Sequence, residues 1–563
     1  MKSTEPEALT PTEPNLDANS NAAESAASVS HGVVRSASIM SFAVALSRVS
    51  GLVREMVMSR LFGASMAYDA FRVGFMIPNL TRDLFAEGAL SSAFVPVFTD
   101  ALHHKGREEA ARLANLVSTT LILVVGLLCA IGAIYSPMLV ELAAPGFEKT
   151  PGKAELAASL VRIMFPFLLL VALAAQAMGI LNALKQFAIP ALSSTCFNVG
   201  SVIIGVILGV VLGQTLHISP IEGMAWGVLA GGALQLGFQI PALVRAGFTF
   251  KPKVDFSDPS MRQILAMMGP AILGNAATQI NVLVNSNLAS SIVDPLRGAN
   301  GPVGWLAYAF RFMMLPIGLF GVAIASATLP AISRSASAGN WDEFRRTTSR
   351  SLGLVFLLTI PSSVGLAIIG KSMIGAVYQG GKFERYDTEQ TALALSCFAI
   401  GLAGYSALKV LSPAFYALKD SRTPMMVSLG SVIVNYLLAK TMVEVFHLGH
   451  AGLALATSGI ALFSSVTLFL LLRQRISGLY GRMLWSSLWR ALLASLAMAI
   501  VVAAITWALS SAHYTIQLLA TIPAGAIVFY LAARALNVEE LAMATEAIAG
   551  PLKRRLPFLR GTL

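Results

Sequence analysis

The chain has 563 residues, 56% of them hydrophobic and only 12% charged, with a formal net charge of +11. A soluble protein of this length would divide into several domains and would carry about 25% charged residues to cover them. The composition therefore excludes a soluble globular protein and indicates a chain that crosses a membrane many times.

Neither the N-terminal residues nor the cysteines indicate a secreted protein. Residues 1–30 are polar and contain no apolar run, so they lack the core of a signal peptide and predict a disordered tail. Cys129, Cys196 and Cys397 fall inside apolar segments with neither metal-ligand nor disulfide spacing. We interpret them as small buried side chains.

Apolar segments long enough to span a bilayer recur along the chain. A spanning helix needs about 20 mostly apolar residues, and several of the segments contain proline, for example at Pro78, Pro166, Pro316 and Pro361. The sequence predicts an all-α polytopic membrane protein with about fourteen spans, at roughly 33–58, 68–99, 113–138, 156–182, 187–213, 222–246, 263–291, 302–332, 350–378, 389–417, 424–446, 450–472, 485–510 and 514–536.

Positive charges concentrate in alternate connections between these segments. Lys105, Arg107 and Arg112 follow the second span, and Arg345 and Arg346 follow the eighth, whereas the other set of connections carries few cations. The positive-inside rule then places both termini in the cytoplasm, in agreement with an even number of spans. Because this pattern accounts for most of the net charge, no nucleic-acid partner is expected.

Residues 87–112 and 321–346 have similar sequences, and each ends an even-numbered span before a connection. The second copy begins about 234 residues after the first. The matches at equal spacing are Ala89 with Ala323, Ser92 with Ser326, Ala93 with Ala327, and Pro96 with Pro330. This repeat predicts two pseudo-symmetric six-helix lobes with the same orientation, around a central cavity.

The predicted organisation has five parts. A disordered cytoplasmic tail (1–30) is followed by an N-lobe with helices 1–6 (31–247) and a C-lobe with helices 7–12 (248–476). Helices 13 and 14 (477–537) are additional, and a basic cytoplasmic tail (538–563) ends the chain. Two lobes around a cavity are typical of alternating-access transporters. The sequence contains no nucleotide-binding loop and no catalytic motif, so neither an enzyme nor a cofactor is predicted.

Charged residues at membrane depth are concentrated in the first, second and eighth spans. One such charge facing lipid costs about 2.5–3.5 kcal/mol on insertion scales, so these side chains must face a wet cavity or one another. One interpretation is structural ion pairing, for example of Asp69 with Arg72, and this is favoured for Arg72 and Arg162. Whether Lys409 in the tenth span is structural or functional stays open.

Four arginines favour a binding role instead. Arginines outnumber the acidic residues at this depth, and Arg48, Arg54, Arg82 and Arg311 come from both predicted lobes. Guanidinium groups match phosphate oxygens in bidentate geometry and keep their charge, so the surplus predicts a site for a multivalent anion. Gln279 in the seventh span either lines the cavity or makes interhelical hydrogen bonds.

Several segments of this chain resemble the MurJ (MviN) lipid II flippases of the multidrug/oligosaccharidyl-lipid/polysaccharide exporter superfamily. The resemblance extends from about Val33 to the end of the fourteenth span. The segments that carry it are SRVSGLVRE, PNLTRDLFAEGALSSAFVP, YAFRFMMLPIGLFGVAIASATLPAIS, GNWDEFRR and KVLSPAFYALKDSRTP.

The resemblance implies fourteen helices in two lobes, a V-shaped cavity, and a hydrophobic groove beside helices 13 and 14 for a lipid tail. It implies that the four arginines engage the headgroup of a lipid-linked substrate, and Asp69 matches a functional aspartate of the family. The predicted substrate-binding residues are Arg48, Arg54, Arg82, Arg311, Asp69, Asn79, Glu87 and Gln279. No metal site is predicted.

Two positions depart from the family pattern. Phe310 stands where many relatives carry an aspartate, and Met76 stands where some carry a lysine. These differences bear on energy coupling more than on the substrate.

The predicted function is flipping of lipid II, an undecaprenyl pyrophosphate carrying a disaccharide–pentapeptide, to the outer leaflet of the bacterial inner membrane. The expected partners are this lipid, membrane lipids and the cell-wall synthesis machinery. One alternative is a flippase for another polyprenyl-pyrophosphate glycan. A cation-coupled multidrug exporter is a weaker alternative, because cationic drugs favour acidic cavities. A non-transporting scaffold would leave the arginine surplus unexplained.

Overall fold

The computed structural model of the protein describes residues 42–84 and 90–545, without the side chains of Ala271 and Leu273. Glu87, the predicted tail 1–30, the start of the first predicted span and residues 546–563 of the basic tail lie outside the described residues. Within the described ranges the chain forms helices and connections, with no β-strand and two isolated β-bridges, Asp294 with Gly298 and Gly380 with Phe383.

The long helices follow one another with short connections. Several consist of consecutive segments, and short helices Ser136–Ala143, Pro145–Lys149 and Gly213–Leu216 lie in the connections. In chain order they are α1 (42–62), α2 (Met66–Arg82, then Ser91–Asp100 and Ala101–Lys105), α3 (Arg107–Ile134), α4 (Lys153–Met164 and Phe167–Ala183), α5 (Ala188–Val206 and Ile207–Val211), α6 (Pro220–Gly237 and Ile240–Arg245), α7 (Pro259–Ser290), α8 (Pro302–Pro316, Ile317–Val322 and Ala323–Ser337), α9 (Trp341–Tyr378), α10 (Arg385–Ile400 and Leu402–Ala417), α11 (Arg422–Lys440 and Thr441–Val445), α12 (Gly449–Arg475), α13 (Gly481–Ala508) and α14 (Tyr514–Ala535).

Most of these helices are long and apolar enough to cross a membrane. Ten of the described helices satisfy this by length and composition, and α10, whose two segments meet at a 44° bend, makes an eleventh. The predicted all-α polytopic fold is confirmed, and fourteen spans are consistent with it. The long helices outside this set are α1, α2 and α7.

Proline has different effects in different helices. The two segments of α4 meet at Pro166, and after Pro316 the backbone of α8 becomes a π-helix over Ile317–Val322. Pro78 and Pro361 instead lie inside continuous helical segments. Proline removes one backbone donor and crowds the preceding turn, so neighbouring helices decide whether the helix breaks or only bends.

Helices α5 and α6 pack against each other through glycine. A Cβ added to Gly223 would lie 2.2 Å from the Cα of Gly209, and one added to Gly227 would lie 2.3 Å from the carbonyl oxygen of Ser201. Gly205 and Gly209 on α5, like Gly223 and Gly227 on α6, have the four-residue spacing that lets membrane helices approach closely. This pair supplies one wall of the central cavity.

Adding a methyl group at this contact is expected to destabilise the protein. In the Gly227→Ala variant the new Cβ meets backbone atoms, which move aside only if α5 and α6 separate, and such overpacking costs about 1–3 kcal/mol. Thermal unfolding of the purified protein in detergent measures the loss. Gly237→Ala, on the same helix but with open space around the added Cβ, is the control. Equal unfolding midpoints for the two variants would contradict the close-packing argument.

Candidate functional site

A cavity of about 430 Å³ lies between α1, α2, α7 and α8, with α4, α5 and α6 completing its wall. We call it the arginine compartment. Among its described lining residues, four guanidinium groups face two carboxylates, which leaves an excess of two positive charges. The charged lining residues are Arg54, Glu55, Arg72, Arg82, Asp83 and Arg311.

Glu55 is the carboxylate that joins two of these arginines. Its Oε1 accepts hydrogen bonds from Nη2 of Arg311 at 2.7 Å and from Nη2 of Arg54 at 3.2 Å. Its Oε2 accepts one from the hydroxyl of Tyr68 at 3.2 Å. The carboxylate is buried, and a buried charge is tolerated where partners of this kind surround it. Because Glu55 lies on α1 and Arg311 on α8, their ion pair also links these helices.

Arg54 and Arg311 differ in how firmly they are held. The guanidinium carbon of Arg54 lies 5.8 Å from the ring centre of Phe75 and 5.5 Å from that of Phe197, distances at which a cation is attracted to an aromatic face. The Arg54 side chain is 14% exposed, whereas that of Arg311 is 46% exposed. Packing therefore fixes Arg54, and Arg311 has more surface free to meet a ligand.

Helix α2 contributes two arginines with different surroundings. Arg82 donates from Nε and Nη2 to Oδ1 of Asp83, at 3.1 and 2.8 Å. The buried Nε of Arg72 has no hydrogen-bond partner among the described residues. The ion pair of Arg72 with Asp69 that the sequence favours is absent from the described contacts, and Arg72 lines the cavity instead.

A second compartment of about 540 Å³ adjoins the first and extends between α7, α8, α10, α11 and α12. The two share lining residues, among them Asp83, Gln279 and Phe310. We call it the hydroxyl–amide compartment after its neutral polar lining residues. These are Thr278, Gln279, Asn281, Asn285, Ser286, Tyr405, Ser412, Ser428, Ser431, Thr457 and Ser464.

Hydrogen bonds between these side chains connect α7 to α11 and α12. Asn281 donates to Ser431 at 3.1 Å, and Asn285 donates to Thr457 at 3.2 Å. Asn435 donates to Oδ1 of Asn285 at 3.1 Å. These contacts hold α7 against the neighbouring helices.

Asp69 was predicted to bind the substrate, but its side chain does not line the described cavity. Its side chain is fully buried in an ion pair with the equally buried Lys153, with 2.9 Å between Nζ and Oδ2. The backbone N–H groups of Gly301 and Gly304 also donate to its carboxylate, each at 2.9 Å. Lys153 donates further to the carbonyl of Ala299 at 2.7 Å. A carboxylate with so many partners joins α2 to α4 and to the α7–α8 connection, away from the cavity.

Other contacts gather at the same end of the bundle, which we call the closed end and define by the α1–α2, α7–α8 and α9–α10 connections. The backbone N–H of Lys382 donates to the carbonyl of Arg60 at 2.9 Å. Arg297 pairs with Glu384 at 2.8 Å and with Asp387 at 3.2 Å. These contacts bind α1 and the α7–α8 connection to the α9–α10 connection.

The remaining predicted site residues fall into three groups. Asn79 and Gln279 line the arginine compartment together with Arg54, Arg82 and Arg311. Arg48 does not line the described cavity: its guanidinium lies against Gly318 of α8, where an added Cβ would be 2.7 Å from Nη1. Glu87 lies outside the described residues.

Three residues near these sites were missing from the predicted set. Glu55 is the one acidic residue of the first span and stands directly beside Arg54, which was an available signal. Lys153 lies in a segment interpreted as a connection, and no sequence pattern links it to Asp69. Arg72 was assigned to a local ion pair because the helical spacing allowed one. Within residues 42–84 and 90–545 there is no group of three or more His, Cys, Asp and Glu side chains suited to hold a metal ion.

Sequence comparisons identify the relatives of this chain. Residues 58–528 match the family described as "Lipid II flippase MurJ". A relative from Burkholderia cenocepacia with that name is 34% identical over 440 residues, which cover 77% of this chain and 82% of the relative. The "Probable lipid II flippase MurJ" of Vibrio cholerae is 34% identical over 491 residues, covering 86% and 90%.

Comparison with solved structures points to the same family as the sequence comparisons. One described as "Lipid II flippase MurJ, inward closed conformation" matches with a TM-score of 0.73 and 25% identity, over 91% of this chain and 99% of that one. An inward-facing multidrug resistance MATE family transporter of the MOP superfamily shares the fold, with a TM-score of 0.63 at 17% identity over 77% and 94% of the two chains. With a family match over most of its length, this multi-pass membrane protein belongs to the MurJ family of lipid II flippases.

Proposed function

We propose that this protein flips lipid II from the cytoplasmic to the outer leaflet of the bacterial inner membrane. Family membership supports the transport of a lipid-linked precursor, since lipid II is the substrate in the names of its relatives. The observation that carries the proposal is the excess of positive charge in the arginine compartment at the centre of the helix bundle.

The chemistry of this compartment fits a pyrophosphate diester. Such a group is doubly negative and presents several oxygens, and the described lining residues carry two positive charges more than negative ones. Bidentate contacts from guanidinium groups are short and strong because both partners are charged. Arg311 and Arg54 share Glu55, so an incoming phosphate oxygen would take over donors that Glu55 now holds.

The contacts at the closed end support alternating access. The connections there belong to the cation-poor set, so the positive-inside rule assigns the closed end to the outer face of the membrane. The substrate then enters from the cytoplasmic side and leaves after the closed-end contacts break. Asp69, with its partners on α4 and the α7–α8 connection, acts in this scheme as part of the outer gate and not as a substrate ligand.

The isoprenoid tail stays in lipid during the transfer of the headgroup. Helices α13 and α14 pack against each other and against α9, outside the helices that line the cavity. Large apolar side chains on them are exposed, for example Trp507, Ile500 and Leu519. We assign the tail to this surface, in keeping with the groove that the family resemblance implies.

A flippase for another polyprenyl-pyrophosphate glycan is the second candidate, because the arginine compartment would bind the same diester. The two are distinguished in cells depleted of the protein. If lipid II accumulates and an external lipid II-cleaving toxin no longer releases product, the protein is the lipid II flippase. If cleavage continues at the normal level, the substrate is another glycan.

Neutralising the cavity arginines is expected to abolish function without loss of protein. Arg54→Gln, Arg82→Gln and Arg311→Gln each remove charge-assisted hydrogen bonds, which should weaken binding of the diester about tenfold or more. Complementation of depleted cells and toxin cleavage of outer-leaflet lipid II measure the effect. Arg162→Gln is the matched control, since Arg162 lies on α4 with an exposed side chain outside the cavity. Normal growth supported by all three cavity variants would rule out the pyrophosphate site.

Neutralising Asp69 is expected to loosen the outer gate. Asp69→Asn leaves the ammonium of Lys153 buried without its counter-charge, which costs about 3–5 kcal/mol. Hydrogen–deuterium exchange of the amides of Gly301 and Gly304, which now bond to Asp69, should become faster while exchange in α13 stays the same.

The double variant Asp69→Asn with Lys153→Met provides the control for this effect. Removing both charges takes away the unpaired ammonium, so the double variant should unfold at a higher temperature than Asp69→Asn alone. Additive losses in the two single variants and the double variant would show that the two residues do not act as a pair.

A further inference from the structure

The hydroxyl–amide compartment contains one cation that the proposed pyrophosphate site does not use. Lys409 lies in the middle of the second segment of α10, its side chain is exposed, and it lines this compartment. No ion pair or hydrogen bond of its ammonium occurs among the described residues. A lysine at this depth without a counter-charge is costly, which is typical of a functional position.

The walls around Lys409 combine apolar side chains with neutral polar ones and are almost free of negative charge. The one carboxylate among the described lining residues is Asp83, at the edge shared with the arginine compartment, and it is bonded to Arg82. Elsewhere the wall offers hydroxyl and amide groups. Two of these have unused hydrogen-bonding capacity within the described part: Oδ1 of Asn281 and Oγ of Ser286 are buried without a partner. Buried groups of this kind are normally satisfied by protein, water or ligand.

We propose that Lys409 binds a carboxylate of the peptide in the substrate headgroup, and that the surrounding hydroxyl and amide groups bind the uncharged parts of the sugars and peptide. This inference rests on the proposed function. The two compartments share lining residues, so one headgroup extends from the arginines into the larger second compartment.

The kind of cation supports a carboxylate and not a second phosphate as its partner. Guanidinium groups are concentrated in the arginine compartment, where their fork geometry matches phosphate oxygens. Lys409 is a single ammonium, a point charge that satisfies one carboxylate without demanding a fixed orientation. Neutral donors and acceptors around it match hydroxyl and amide groups, which predominate in a disaccharide–peptide.

The test compares binding of three lipids to the purified full-length protein in nanodiscs. They are lipid II with free peptide carboxylates, lipid II with those carboxylates amidated, and undecaprenyl pyrophosphate without sugar or peptide. Wild type should bind the free-carboxylate lipid about tenfold more tightly than the amidated one. Lys409→Gln should lose this difference and bind undecaprenyl pyrophosphate as wild type does, and Lys409→Arg should retain the preference.

Lys440→Gln is the matched control, because Lys440 pairs with Glu444 on α11 at 3.8 Å and does not line the compartment. Equal wild-type affinity for the free and amidated lipids would overturn the role of Lys409 and leave the flippase function standing. A Lys409→Gln variant that keeps the preference would also overturn it. Absence of wild-type binding to all three lipids would overturn the proposed function and this inference together.

Discussion

A charge that lies within a membrane must have a counter-charge or water beside it, and the rest of the structure depends on this constraint. Glu55 meets it by pairing with Arg54 and Arg311. The carboxylate joins α1 to α8 across the cavity and holds two guanidinium groups near each other. It balances only part of the positive charge around it. The remaining excess at the centre of an otherwise apolar helix bundle is the observation on which the proposed anion site rests.

The same constraint is met differently at the closed end. Asp69 and Lys153 are fully buried and satisfy each other together with backbone donors and a carbonyl acceptor. Such a pair adds little net stability compared with apolar packing, but breaking it is costly, so it favours one arrangement of the helices that it joins. In the cavity, by contrast, the side chain of Arg311 is 46% exposed although it is paired with Glu55. In the proposed function, the buried pair of Asp69 and Lys153 therefore belongs to a gate, and the Glu55 pairs belong to a ligand site.

Composition and the position of charges were sufficient to predict much of the fold and some of the residues that line the cavity. Long apolar segments at regular intervals specify a polytopic helical protein. In lipid the backbone N–H and C=O groups find no water, so they must form hydrogen bonds within a helix. Arg54, Arg82 and Arg311 were predicted to face a cavity because a charge in an apolar segment is expensive wherever the helix lies, and all three line the arginine compartment. Asn79 of the second span and Gln279 of the seventh were also in the predicted set, and both line this compartment. The sequence also provided the family, through segments such as SRVSGLVRE.

The sequence by itself therefore determined which segments are helices and which of their side chains cannot face lipid. Only the tertiary structure decided which charges meet. Asp69 has a possible partner one turn away in Arg72, yet it pairs with Lys153, 84 residues along the chain. Arg48 lies against Gly318 instead of in the described cavity, and Lys409 lines a compartment built from several helices. Helical periodicity fixes neighbours within one helix, whereas partners on different helices depend on packing that no local pattern encodes.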